Sequence, residues 1–316
     1  LNPQNFLGGA IKLDVQRARD HIKAQIAGPL GLSVEDAAAG VIELLDLTLS
    51  EYLRANISAK GYNPAEFTCF SYGGAGPVHT YGYTEGVGFK DVVVPAWAAG
   101  FSAFGCACAD FEYRYDKSVD LGLAQHAPHA AKAQACTTLQ AAWSELAVKV
   151  IEEFVNNGFK PEDVILIPGY KMQYMGQLND LEIVSPVTSA ATAADWDRIV
   201  DAFENTYGRV YASSARSPEL GFSITGAILR GMVVTQKPVL PEDPVGGATP
   251  PKEAVLGTRP FYRHKKWVDA RLYKMEALKA GNHIVGPAVI ESDATTFVVP
   301  DGPETTVAKH RLFHNS

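Results

Sequence analysis

This 316-residue sequence has no basic excess, few cysteines and no long apolar run, and each shortage excludes a class of protein. Lys and Arg number 28 against 35 Asp and Glu, a formal net charge of -7. With no cationic surplus to neutralise phosphates, a general nucleic-acid binder is excluded. Four cysteines are too few for a disulfide framework in a chain this long; read as reduced thiols, they imply a cytoplasmic protein. No apolar stretch reaches the roughly 18 residues that span a bilayer. The N-terminus lacks the charged-then-apolar pattern of a secretory signal. The first residue is Leu1 rather than Met, as expected of a trimmed chain or a fragment.

With 47% hydrophobic and 20% charged residues, the chain reads as globular rather than disordered. Its length allows two domains at about 150 residues each. The opening reads as a helix capped by Asp14, running from Val15 to Ala27 and stopped by Gly28-Pro29. Ser33 with Asp36 resembles a capping box before a long helix. Val41, Leu44, Leu45, Leu49, Tyr52 and Leu53 recur at helical spacing, with Gly61 at the exit. Phe67 to Tyr72 suits a buried strand, a helix from Val78 to about Gly86 follows, and Asp91 to Pro95 is a second buried strand. That order reads as a βαβ unit. Ala96 to Ala109 suits a tightly packed loop and helix.

Further on, Phe111 to Leu121 reads as a strand and His126 to Ala130 as a linker. Ala133 to Asn157 reads as a long helix striped by Leu139, Trp143, Leu146, Val150 and Phe154. Strands are expected at Val164 to Ile167, Lys171 to Val184 and Phe222 to Thr235, with a helix from Asp195 to Ser214. Lys237 to Pro251 reads as a loop, and Thr258 to Phe313 as short strands and turns. The expected domains are residues 1–115 and 116–316.

Most chemical motifs fall short. No phosphate-binding loop ending in Gly-Lys-Ser/Thr is present, and no zinc-protease helix. Gly74-Ala75-Gly76 begins a dinucleotide fingerprint, but His79 stands where its third glycine belongs. Gly100 and Gly105 are one residue too far apart for a nucleophile elbow. Cys106 and Cys108 lack a second ligand pair for zinc and read as buried thiols; His126 and His129 read as a solvated loop. The informative cluster is Gly73-Gly74-Ala75-Gly76-Pro77, between a strand and a helix. Glycines here permit positive φ and a close approach of backbone to ligand. The helix N-terminus beyond offers free N–H groups to an anion. The same turn also serves as a bare connection, and spacing alone favours that plain role.

From Ser71 to Leu121 the sequence resembles the hydantoinase A / 5-oxoprolinase family, which includes the ATP-dependent acetone and acetophenone carboxylases. The resemblance rests on Gly73 to His79, Val94-Pro95 and Ser102-Ala103-Phe104-Gly105. Further matching blocks are Asn5 to Gly9 with Leu13-Asp14, Phe203 to Gly208, Pro218-Glu219, and Gly286 to Glu291 with Thr295-Thr296. Tyr174-Met175-Gly176-Gln177 with Leu181-Glu182 departs from the family's usual pattern, which has a basic residue where Met175 stands. The resemblance implies an α/β (α+β overall) fold. It comprises the C-terminal part of an actin-like, sugar-kinase-like ATPase lobe, then a mixed α+β domain with a β-rich end.

The resemblance further implies a cytoplasmic subunit of a ketone carboxylase that joins ketone, bicarbonate and ATP to a 3-oxo acid through phosphorylated intermediates. Such a subunit is inactive alone. Gly73, Gly74, Ala75, Gly76 and His79 would form one wall of an ATP site. Mg²⁺ and the phosphates would be held mainly by another subunit carrying the N-terminal ATPase half, and a hydantoinase B-like subunit is a further expected partner. No nucleic acid, membrane or metal ligand set is implied for this chain. His79, Asp110, Glu112 and Asp116 are not separable by sequence as catalytic groups. Two alternatives stay open: a subunit of an ATP-dependent hydantoin or 5-oxoproline hydrolase, and a non-catalytic assembly subunit.

Overall fold

A computed structural model describes residues 2–315; Leu1 and Ser316 lie outside the described residues. The chain divides into two compact units, Leu1–Ala107 with Pro238–Ser316, and Cys108–Lys237.

In the first unit, α1 (Val15–Ile22) starts at Asp14, whose carboxylate accepts the Arg17 N–H at 2.9 Å. The helical path does not stop at Gly28-Pro29. It widens into a π turn over Lys23–Ala27, runs through α2 (Gly28–Leu30) and ends at Gly31, φ +66. The wider turn accommodates a proline that cannot donate the next hydrogen bond. α3 (Val34–Ala59) begins at Ser33, whose hydroxyl accepts the Asp36 N–H at 3.0 Å and donates to its carboxylate at 2.7 Å.

The apolar stripe expected on α3 is mostly exposed: Val41, Leu44, Leu45, Leu49 and Tyr52 are open to solvent, as are Ile42 and Leu47. The side of α3 that packs within the unit carries Asp46 and, one turn on, the buried Ser50.

β1 (Thr68–Phe70), α4 (Gly76–Thr84) and β2 (Asp91–Pro95) form the expected βαβ unit, with β1 and β2 parallel and Thr68 opposite Asp91. Only β2 is buried. β1 is an edge strand, so Phe67 and Phe70 stand exposed where the sequence suggested a buried strand. α5 (Phe101–Cys108) has no buried residue, against the expected tight packing. Cys106 is exposed and Cys108 half-buried, so the buried-thiol expectation fails for both. The segment is apolar in composition; Phe101 stacks on Phe70 of β1 and Trp97 packs on Phe104, but none of its residues is fully buried.

The second unit is a sheet with two helices. β3 (Phe111–Leu123), β4 (Ile165–Tyr174), β5 (Leu181–Val184) and β6 (Phe222–Val233) form an antiparallel sheet in the order β3-β6-β4-β5. β4 runs continuously through the gap expected between two strands at 167 and 171. α6 (His129–Asn156) begins four residues earlier than its expected start, and Leu139, Trp143, Leu146, Val150 and Phe154 are all buried. α7 (Ala193–Tyr211) buries Trp196, Ile199, Phe203 and Tyr207 in the same core. The helices are keyed to the sheet by hydrogen bonds: Trp143 Nε1 donates to the Gly169 carbonyl at 2.8 Å, and the Tyr170 hydroxyl to the Ile199 carbonyl at 2.7 Å. A Cβ on Gly231 would lie 2.2 Å from Val150 Cγ1, so the glycine sets how closely α6 approaches β6.

After a stretch with no helix or strand from 238 to 251, the chain rejoins the first unit. It adds β7 (Val255–Arg263), β8 (Lys266–Lys274), β9 (His283–Val285), β10 (Ala288–Glu291), β11 (Thr296–Val299), β12 (Glu304–Val307) and β13 (Leu312–Asn315). One sheet runs β11-β10-β8-β7; the other runs β1-β2-β13-β12-β9. β13 lies antiparallel to β2, with Leu312 opposite Pro95. Residue 115 lies inside β3, and the residues from 116 onward contribute to both units. Pairing between strands some 220 residues apart leaves no mark on local composition. Among the described residues, no helix is long and apolar enough to cross a membrane.

Candidate functional site

The glycine turn after β1 is held by three contacts. Gly73 takes φ +92, a conformation open to glycine at little cost, and its N–H donates to the Ala98 carbonyl at 2.8 Å. The Thr295 hydroxyl donates to the Gly74 carbonyl at 3.0 Å. Beneath the turn, the buried Ser71 and Thr80 hydroxyls meet at 2.6 Å. α4 then begins with Ala75 as its N-cap, and no side chain caps it. Its first N–H groups therefore lack the side-chain acceptor most helices supply.

Beside this turn lies a cavity of about 340 Å³, near the lower end of small-ligand sites. Three distant segments build it: Asn5, Phe6 and Leu7 with Asn2; Gly74, Ala75, Val78 and His79; and 291–296 between β10 and β11. The wall is apolar at Phe6, Leu7 and Val78 and acceptor-rich at Glu291, Ser292, Asp293 and Thr295. Glu291 is buried and paired with Arg259. No salt bridge to Asp293 is formed among the described residues.

Of the sequence-expected site residues, Gly74, Ala75 and His79 line the cavity, whereas Gly73 and Gly76 shape the turn without lining it. The His79 ring is tied to α3: its Nδ1 lies 2.8 Å from Asp46 Oδ1, and both side chains are largely buried. Burial raises the Asp46 carboxyl above the usual carboxylate value, a shift only partly opposed by the His79 hydrogen bond.

Asp110, Glu112 and Asp116 belong to the other unit. Asp110 pairs with Lys237 and accepts the Thr235 N–H. Asp116 pairs with Arg114 at 2.8 Å, and Arg114 also reaches Glu182. Glu112 is exposed on β3. His126 and His129 are exposed around the start of α6. Asp46 escaped sequence reasoning. Its only signal is an acidic residue inside the apolar run Leu44-Leu45-Asp46-Leu47.

The uncapped start of α4 thus lies beside a pocket with both apolar and acceptor walls, and comparison with known proteins places the chain that carries it. Residues 1–115 match the hydantoinase/oxoprolinase domain and residues 126–316 the hydantoinase/oxoprolinase C-terminal domain. The chain belongs to the hydantoinase/oxoprolinase family.

Within that family it is 69% identical over 314 residues to the acetone carboxylase beta subunit of Xanthobacter autotrophicus, covering 99% of this chain and 44% of that protein. It is 31% identical to the acetophenone carboxylase gamma subunit of Aromatoleum aromaticum, covering 99% of this chain and 42% of that one. The nucleotide-free structure of acetone carboxylase, an enzyme of ATP-dependent acetone carboxylation, matches with a TM-score of 0.74 at 69% identity, over 100% of this chain and 44% of that chain. The chain spans less than half the length of these relatives.

Proposed function

We propose that this chain is part of a subunit of a multi-subunit, ATP-dependent ketone carboxylase of the acetone type. The observation that carries the reading is the 69% identity to the acetone carboxylase beta subunit along 99% of the chain. The reaction joins ketone and bicarbonate into a 3-oxo acid, driven by ATP whose transferred phosphoryl groups leave as inorganic phosphate. ATP supplies the activation that a weakly acidic ketone and a poorly electrophilic bicarbonate lack. The chain's own contribution is to bind and position.

The cavity suits the nucleoside end of ATP better than its phosphates. Apolar Phe6, Leu7 and Val78 can face a base, and Asp293 and Thr295 can accept from hydroxyls. Asp293, without a cation beside it, would repel a triphosphate at short range. On this reading the phosphates and Mg²⁺ are held mainly by another subunit. A hydantoinase B-like subunit completes the assembly. The bare apolar face of α3 supports this reading, because contiguous exposed apolar surface marks an interaction site. Its cover on this account is the portion of the relatives' length that this sequence does not span.

The test is ATP hydrolysis by the native assembly, purified through a tag on this chain. Stimulation by acetone with bicarbonate, and by neither alone, is the expected result. Stimulation by hydantoin or 5-oxoproline instead would move the chain to cyclic-amide hydrolysis. An unstimulated assembly whose activity survives Gly74→Arg would make it an assembly subunit.

A further inference from the structure

We propose that His79 meets the ligand through Nε2, accepting a hydrogen bond from a sugar hydroxyl, and that Asp46 is the positioning residue that fixes this orientation. The proposal rests on the nucleotide reading above and adds the ring nitrogen, its partner on α3 and the group recognised.

The geometry supports each part. His79 Nδ1 lies 2.8 Å from Asp46 Oδ1 across 33 residues of sequence. With Nδ1 turned to Asp46, Nε2 is the ring nitrogen left for a ligand; where Nδ1 donates to the carboxylate, Nε2 keeps its lone pair. His79 also lines the cavity, and no protein group bonds to Nε2 among the described residues. In that tautomer Nε2 accepts a hydrogen bond; adenosine's donors are its sugar hydroxyls and its base amino group, and with the base against Phe6, Leu7 and Val78 the hydroxyls are the donors left for His79.

A third residue makes the pair possible. Gly82 sits inside α4, where glycine is the poorest helix former apart from proline. A Cβ there would lie 1.9 Å from Asp46 Oδ2 and 2.4 Å from its Cγ. Any larger residue expels the carboxylate from its place beside His79. The helix accepts a weak residue so that a carboxylate can approach its flank, which a merely solvated histidine would not require.

The test uses the assembly carrying this chain, with ATP, 2′-deoxy-ATP and 3′-deoxy-ATP as titrants and thermal melting as a control. His79→Asn keeps a donor near the Nδ1 position and removes Nε2. It is expected to melt with the wild type yet bind ATP about tenfold more weakly, one good hydrogen bond. It should also stop distinguishing ATP from one of the two deoxy analogues. Asp46→Asn, which still offers an oxygen to Nδ1, should retain most affinity. Asp46→Ala and Gly82→Ala should lose it, although neither replaces a cavity wall. If His79→Asn binds all three nucleotides as the wild type does, the pair is only a clamp between α3 and α4, and the proposal is overturned. A wild type that binds no ATP, or whose binding survives Gly74→Arg, overturns the nucleotide reading itself and the proposal with it.

Discussion

α6 and α3 are both long helices with apolar residues recurring along them, and only α6 buries its stripe. Leu139, Val150 and Phe154 on α6 are each 0% exposed, whereas Leu44 and Tyr52 on α3 are 67% and 66% exposed. The difference lies in what each helix has to pack on. α6 lies on a four-stranded sheet formed entirely within its own unit. α3 meets α4, α1 with its π turn, and β7, yet its apolar residues from Val41 to Tyr52 stay exposed. A periodic apolar pattern marks a face suited to burial. It does not say that the cover belongs to the same stretch of chain.

Four substitutions sharpen this contrast. The largest effect belongs to the core: Phe154→Ala should destabilise the second unit by about 3–5 kcal/mol, the usual cost of truncating a buried aromatic, measured by denaturant unfolding. Gly231→Ala should cost about 1–3 kcal/mol by overpacking against Val150, read from the same curves. If it costs nothing, the close approach of α6 to β6 is wrong.

A smaller effect concerns pH. Hydrogen bonds from the Thr192 hydroxyl and from the Ala191 and Thr192 N–H groups hold the Asp195 carboxyl below the usual carboxylate value. Because its pKa is lower folded than unfolded, the unfolded state binds the extra proton first. The stabilisation is therefore full above the ordinary carboxylate pKa and is lost as pH falls through the lower folded value. Asp195→Asn should flatten the acid side of the stability profile and leave its alkaline side unchanged, measured by thermal melting across pH.

The smallest effect is expected on α3. Leu44→Ser should change the unfolding free energy of the isolated chain by less than about 0.5 kcal/mol, while reducing its self-association in sedimentation and weakening its recovery of partners. A large loss of stability would show that the face is covered within the chain.

These contrasts also mark how far the sequence could be read. The caps at Asp14 and Ser33, the βαβ order around the glycine turn and the stripe of α6 are local patterns, and local geometry realises them. β13 beside β2 and the meeting of Asn5, Gly74 and Asp293 around one cavity depend on contacts across more than 200 residues, which no local period encodes. The family blocks at Asn5 to Gly9, Gly73 to His79, and Gly286 to Glu291 with Thr295-Thr296 were nonetheless visible one by one, and folding brings residues of each to one cavity. Asp46 and Gly82 were illegible because each reads locally as a mild defect in a helix: a charge in an apolar run and a glycine in a helix interior. Together they form the support of His79.

The most direct test of the proposal that α3 is covered in the assembly is amide hydrogen exchange of the chain alone and in its native assembly. Exchange across 41–53 is expected to slow markedly on assembly, while that across 139–154, already packed within its own unit, stays as it was. Equal exchange of 41–53 in both states would contradict the account.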